Sequence, residues 1–237
     1  MERETAKNLL VWGATILVAQ NIVLIILIMM TFVLQDVSTI ELVQTLSFWL
    51  DIIGFGLIGF GMLSIGIHYP SVGNYTQRGA YLAFGWAILS IIWRLIMGML
   101  IPDFYLLGEP DIANLELYAI LPPVLFGIAA VLLLLLMFSF NTTMTKFQEL
   151  EGIGTGKSNL FSAYAIVHIV GAAMIVVGWV PIAKIILDPA STSIDDLGEA
   201  AGGLMLAGLG FIIKILAVPI MGIIAFLGVK NSFQTIE

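Results

Sequence analysis

Polar side chains occur inside long apolar stretches of this sequence, and five of them could form a site: Gln20, Asn21, Asp51, Arg94 and Lys214. A charged side chain at the middle of a bilayer costs at least about 2.5–3.5 kcal/mol on insertion scales. Ionisable residues within membrane segments therefore mark ligand sites and solute pathways by default. We predict that these five residues form a binding or passage site for a small solute or ion in the outer half of the bilayer.

Asp51 and Arg94 are predicted to lie at a similar depth. With a rise of about 1.5 Å per residue, Asp51 lies roughly 14 Å and Arg94 roughly 10 Å from the same face of the membrane. A buried Asp51–Arg94 ion pair that only holds two helices together is the structural alternative to a functional site. Lys214 competes for the same carboxylate, because one acid cannot neutralise two bases. Lys214 is then expected to lose its proton, to extend toward the interface or to face water.

The composition identifies the surroundings of these residues as a membrane. Of the 237 residues, 60% are hydrophobic and 11% are charged, whereas a soluble domain carries about 25% charged residues. A helix needs about 20 apolar residues to cross the hydrocarbon. Six stretches reach that length: residues 9–34, 42–67, 79–101, 117–140, 159–186 and 197–229. Because they are continuously apolar rather than alternating, we predict an all-α integral membrane protein with six transmembrane helices in a single domain, residues 1–237.

Basic residues predict the orientation of these helices. Six of the nine Lys and Arg residues flank the segments on one side: Arg3, Lys7, Arg78, Lys146, Lys157 and Lys230. The loops on the other side, residues 35–41, 102–116 and 187–196, contain neither Lys nor Arg. The positive-inside rule then places both termini in the cytoplasm. We predict a multi-pass protein of the cell (plasma) membrane.

The six segments form three consecutive helical hairpins, residues 1–73, 74–153 and 154–237. Each hairpin begins with a basic residue before an apolar helix and ends in a polar exit, which is the pattern of an internal repeat. The alternative is that any three hairpins that obey the positive-inside rule look alike.

Glycines recur along the second and the sixth segments. Gly54, Gly59 and Gly61 lie in the second segment, and Gly198 and Gly202 lie near the start of the sixth. Small residues let helix backbones approach closely in a bilayer. We expect these faces to pack mainly within the chain, and contact with a second copy or with a partner subunit is the alternative. That alternative predicts a non-catalytic membrane subunit or scaffold.

The residue types disfavour catalysis and cofactor binding. The chain has no cysteine and two histidines, so thiolate nucleophiles, zinc-thiolate sites and iron–sulfur clusters are excluded. Residues 152–158 resemble a phosphate-binding loop, but Glu151 stands where that motif needs glycine. The net charge of −7 argues against nucleic acid as a partner. We predict a protein that is not an enzyme, with no cofactor or metal and with neither nucleotide nor nucleic acid as a partner.

Overall fold

The computed structural model describes residues 3–33, 37–100, 115–151, 159–189 and 192–234, and every regular element within these ranges is helical. The helices are α1 (Arg3–Val33), α2 (Val37–His68), α3 (Gly73–Leu100), α4 (Leu115–Glu151), α5 (Asn159–Leu187), α6 (Ile194–Ile212) and α7 (Val218–Gln234). A 3₁₀ turn (Pro70–Val72) joins α2 to α3, and a π-helical segment (Ile213–Ala217) joins α6 to α7. The segment resembling a phosphate-binding loop, residues 152–158, lies outside the described residues.

Within the described ranges, six helices are long and apolar enough to cross a membrane, which confirms the predicted helix count and the all-α class. The predicted sixth helix is one continuous rod made of α6, the π-helical segment and α7, and we call this rod the sixth span. Outward-facing side chains are large and apolar, as at Leu95, Val131 and Met205. Such a surface suits contact with lipid. α4 continues to Glu151, beyond its predicted end at Phe140, because a helix can extend past its apolar part into water.

Neighbouring helices pack antiparallel in a closed ring. Leu10 of α1 lies against Gly61 of α2, and Leu17 lies against Gly54, so the two helices run in opposite directions. Each span contacts the next one along the chain, and α1 also contacts α7, which closes the ring. The first residue of α1 and the last residue of α7 therefore lie at the same end of the bundle. We call the opposite end, where α1, α3 and α5 terminate, the distal end.

The glycines of α2 and α6 differ in what they face. A methyl group added to Gly54, Gly59 or Gly61 would come within 2.7 Å of a side chain of α1 or α3. These three glycines therefore pack within the chain. At Gly198 and Gly202, by contrast, an added methyl group would meet no atom of the described residues within 4 Å. Contact with a second copy or a partner subunit through α6 stays a prediction, as does the hairpin repeat.

A proline inside α4 is compensated by a side chain of α5. Pro123 has no backbone N–H, so the carbonyl of Ala119 loses the donor that it would have in a regular helix. The indole Nε1 of Trp179 donates to this carbonyl at 2.9 Å. α4 therefore continues through its prolines, and the same hydrogen bond ties it to α5 near the distal end.

The sixth span changes its hydrogen-bond pattern at its centre. Pro219 cannot donate to the carbonyl of Ile215. Next to this gap, the N–H of Val218 donates to the carbonyl of Ile213, five residues earlier, as in a π-helix. Single π-helical turns of this kind occur frequently at functional sites, and this one contains Lys214.

A capping box begins α6 at the distal end. The Ser193 hydroxyl accepts a hydrogen bond from the N–H of Asp196 at 3.2 Å, and the Asp196 carboxylate accepts one from the N–H of Ser193 at 2.8 Å. Lys184 of α5 forms an ion pair with the same carboxylate. One side chain thus stabilises the first turn of α6 and joins it to α5.

Asp196→Ala is expected to lower the detergent concentration at which the protein unfolds, because it removes half of the capping box and the ion pair together. Asp196→Asn keeps an acceptor for the Ser193 N–H and should therefore lower the stability of the protein less. The measurement is unfolding of the purified protein in a titration with denaturing detergent. Thr192→Ala is the matched control, since its hydroxyl donates to the carbonyl of Asp188 outside the helix. Equal losses for Asp196→Ala and Thr192→Ala would show that the capping box contributes nothing.

Candidate functional site

A cavity of about 440 Å³ lies inside the ring of helices, and every span contributes to its wall. The wall includes all five residues that the sequence singles out: Gln20, Asn21, Asp51, Arg94 and Lys214. Its lining extends from Tyr164, within α5, to Leu27 and Gln44, close to the distal end. The structure therefore brings the five residues together, and their role in binding stays a prediction.

Asp51 and Arg94 each bind a hydroxyl group of the neighbouring helix. Ser90 Oγ of α3 donates to Asp51 Oδ2 at 2.7 Å. Arg94 Nη2 donates to Thr45 Oγ1 of α2 at 2.8 Å, and the guanidinium lies over the ring of Phe48, 4.9 Å from its centroid. Hydrogen bonds with one charged partner are about twice as strong as neutral ones. Two hydroxyl contacts thus join α2 to α3. A direct Asp51–Arg94 ion pair, the structural alternative to a functional site, stays a prediction.

The two amides predicted for the site lie on α1. Gln20 Nε2 donates to Ser47 Oγ of α2 at 3.4 Å, and Asn21 Nδ2 donates to the carbonyl of Leu17 at 2.7 Å. A methyl group on Gly222 of α7 would lie 2.5 Å from Asn21 Oδ1. Glycine at this position therefore makes room for a buried amide at the cavity wall.

Lys214 reaches the cavity wall from the π-helical segment. Its Nζ lies over the ring of Phe126 in α4, 4.7 Å from the ring centroid, which is within the range of a cation–π interaction. A methyl group on Gly171 of α5 would lie 2.9 Å from Lys214 Cγ. The absence of a side chain at Gly171 therefore leaves space for the aliphatic part of Lys214. Within the described part of the chain, no carboxylate pairs with its Nζ.

Two buried polar atoms of the cavity wall lack a hydrogen-bond partner among the described residues. They are Gln44 Oε1 and His168 Nδ1, whereas the indole of Trp86 interacts with the Asp51 carboxylate. The rings of Trp86 and His168 are in edge contact, with centroids 5.5 Å apart. An unpaired buried polar group costs about 1–3 kcal/mol, so native structures almost always pair such groups with protein or water. These atoms are therefore available to bind a polar group inside the cavity.

Sequence reasoning missed part of this site. Trp86, Ser90 and Arg94 are spaced by four residues on α3, so they share one helix face. That stripe was readable from the sequence, and it would have added Ser90 and Trp86 to the predicted set. His168 is an ionisable residue inside the fifth apolar segment, so it carries the same signal as Asp51. No comparable pattern marks Gln44, because only the packing of α2 decides which of its faces turns inward.

The wall is suited to an organic molecule rather than to a metal ion. In the residues covered by the structure, no group of three or more His, Asp or Glu side chains could hold a metal. Aromatic rings are prominent in the lining: Phe48, Trp86, Trp93, Phe126 and Tyr164. Apolar and aromatic walls with a few placed polar groups are typical of sites for small organic molecules. Comparisons of the chain with protein-family models, with curated proteins and with solved structures find no match.

Proposed function

We propose that this protein provides a binding or passage site for a small organic solute within the membrane. The observation that carries the proposal is the cavity of about 440 Å³, in which the five polar residues and the two unpartnered atoms meet. Pockets for small molecules measure about 300–1,000 Å³. A bare calcium ion, in comparison, takes a tight shell of about six to eight oxygen ligands. Size and aromatic lining both support a solute over a bare ion.

The proposed location is the cell membrane, with both termini in the cytoplasm and the distal end outside. Arg3 and Lys7 lie at the start of α1, Arg78 near the start of α3, Lys146 near the end of α4 and Lys230 near the end of α7. In the antiparallel ring all of these positions fall at the end opposite the distal one. An excess of basic residues favours the cytoplasmic side. The cavity, which extends toward the distal end, then lies in the outer half of the bilayer.

A non-catalytic subunit or scaffold is the second candidate function. The open surface at Gly198 and Gly202 supports it, because nothing in the described residues covers these glycines and small residues suit helix contacts in lipid. A scaffold does not require water to enter the cavity, whereas a solute site does. Access of water to the cavity therefore distinguishes the two functions.

Cysteine labelling tests this access, since the natural chain has no cysteine. Ala129 lines the cavity, and Val131, two residues away on α4, is 57% exposed on the outer surface. In lipid nanodiscs, a water-soluble maleimide should modify Ala129→Cys and leave Val131→Cys unmodified, because the second position faces lipid. Labelling is quantified by mass spectrometry.

Ile194→Cys provides the positive control, because Ile194 is 87% exposed at the start of α6. If Ile194→Cys is labelled and Ala129→Cys is not, in proteins that unfold at the same detergent concentration as the natural chain, the cavity is sealed. That result would contradict the solute site and favour the scaffold.

A further inference from the structure

We infer that the solute is a small organic anion whose acidic group pairs with Lys214, an inference that rests on the proposed function. Lys214 differs from the other charged residues of the cavity wall in the contacts of its charged group. Asp51 accepts a hydrogen bond from Ser90 and Arg94 donates one to Thr45, whereas the contact recorded for Lys214 Nζ is the face of an aromatic ring.

The ring contact offsets only part of the cost of a charged Lys214, whose side chain is partly buried. A cation–π interaction contributes about 0.5–2 kcal/mol, and a lysine at the centre of a membrane helix costs at least about 2.5–3.5 kcal/mol. No carboxylate of the described residues pairs with Lys214 Nζ. An acidic group on a ligand within the cavity would supply a partner of opposite charge, because removing a charge from water is costly unless the charge is paired and hydrogen-bonded.

Two backbone features present Lys214 to the cavity. The π-helical turn interrupts the regular pattern of the sixth span around this residue. Gly171 leaves the space through which its side chain passes, since a methyl group there would come within 2.9 Å of Lys214 Cγ. These features come from different helices and act on the same side chain, which supports a specific position for its amino group.

The rest of the wall supports an organic anion with one acidic group. His168 lines the same cavity as Lys214, and its Nδ1 has no hydrogen-bond partner among the described residues, so it can bind a polar atom of the same ligand. Phe48, Trp93 and Phe126 provide ring surfaces for an apolar body. Arg94 and Lys214 together carry two positive charges when ionised and Asp51 carries one negative charge, so one acidic group on the ligand balances the charge of the wall. A small aromatic or aliphatic monocarboxylate has the required chemistry.

The first test measures the charge preference of the cavity with Ala129→Cys. The protein is treated with anionic sulfonatoethyl methanethiosulfonate and, separately, with cationic trimethylammonioethyl methanethiosulfonate, and the ratio of the two rates is determined. Lys214→Met should lower the anion-to-cation ratio at least about tenfold, because a unit positive charge in the cavity wall attracts the anionic reagent and repels the cationic one. Lys214→Arg should keep the ratio. At Ile194→Cys, outside the cavity, the ratio should be the same in all three backgrounds.

The second test keeps Lys214 and therefore does not depend on the folding of a Lys214 variant. Benzoate should slow modification of Ala129→Cys by the neutral maleimide, whereas benzamide, a neutral molecule of nearly the same shape, and chloride should not. Three results would overturn the anion assignment and leave the proposed solute site intact. They are no protection by benzoate, equal protection by benzamide or chloride, and a charge preference that does not depend on Lys214. If no reagent modifies position 129 while position 194 reacts normally, the proposed function fails, and the inference fails with it.

Discussion

Gly178→Ala is expected to lower the free energy of unfolding by about 3 kcal/mol, at the upper end of the usual range for overpacking. The methyl group would lie 2.4 Å from the carbonyl oxygen of Gly203 and 2.5 Å from the backbone nitrogen of Ala207. Both atoms belong to the backbone of α6, so neither can move aside as the end of a flexible side chain would. α5 and α6 must separate, and the close contact between them is lost.

Gly202→Ala is the matched control for this prediction. Gly202 precedes Gly203 on α6, but an added methyl group there meets no described atom within 4 Å. Alanine is a better helix former than glycine by about 0.5–1 kcal/mol, so this variant should be as stable as the natural protein or more stable. Both variants are compared in a titration with denaturing detergent. Equal midpoints would contradict the close α5–α6 contact.

Ser90→Ala is expected to lower the free energy of unfolding by about 2 kcal/mol, within the range for hydrogen bonds to charged groups. Ser90 Oγ donates to the Asp51 carboxylate at 2.7 Å in the cavity wall. Without this hydroxyl, the partly buried Asp51 carboxylate has one hydrogen-bond donor fewer. The free energy lost is larger than for a hydrogen bond between two neutral groups, because hydrogen bonds to charged groups are stronger.

Ser139→Ala is the control for Ser90→Ala. Ser139 Oγ also donates between helices, to the carbonyl of Tyr75 at 2.9 Å, but its acceptor is neutral and the contact is exposed. The control substitution should lower the free energy of unfolding by about 1 kcal/mol or less. In a protein that already carries Asp51→Leu, Ser90→Ala should lower the free energy of unfolding by a smaller amount, because the charged acceptor is absent. An unchanged effect in that background would show that Ser90 acts through packing and not through Asp51.

The sequence by itself determined the helical class and the number of helices that are long and apolar enough to cross a membrane. Both depend on local properties, namely the length and the hydropathy of continuous segments. It also identified Gln20, Asn21, Asp51, Arg94 and Lys214 as polar residues at unusual depth, because an intramembrane charge is conspicuous without knowledge of its neighbours. Periodicity along one helix could have added Ser90, which shares a face with Arg94.

Only the tertiary structure decided which helix faces turn inward. Gly54 and Gly198 look alike in the sequence, yet Gly54 packs against α1 and Gly198 faces open space. In the same way, His168 becomes part of a cavity wall, and Lys214 lies on an aromatic ring of α4. In a helix that is apolar all round, hydropathy does not distinguish the buried face from the lipid-facing one. The choice depends on how side chains from several helices fill space together, which no segment specifies alone.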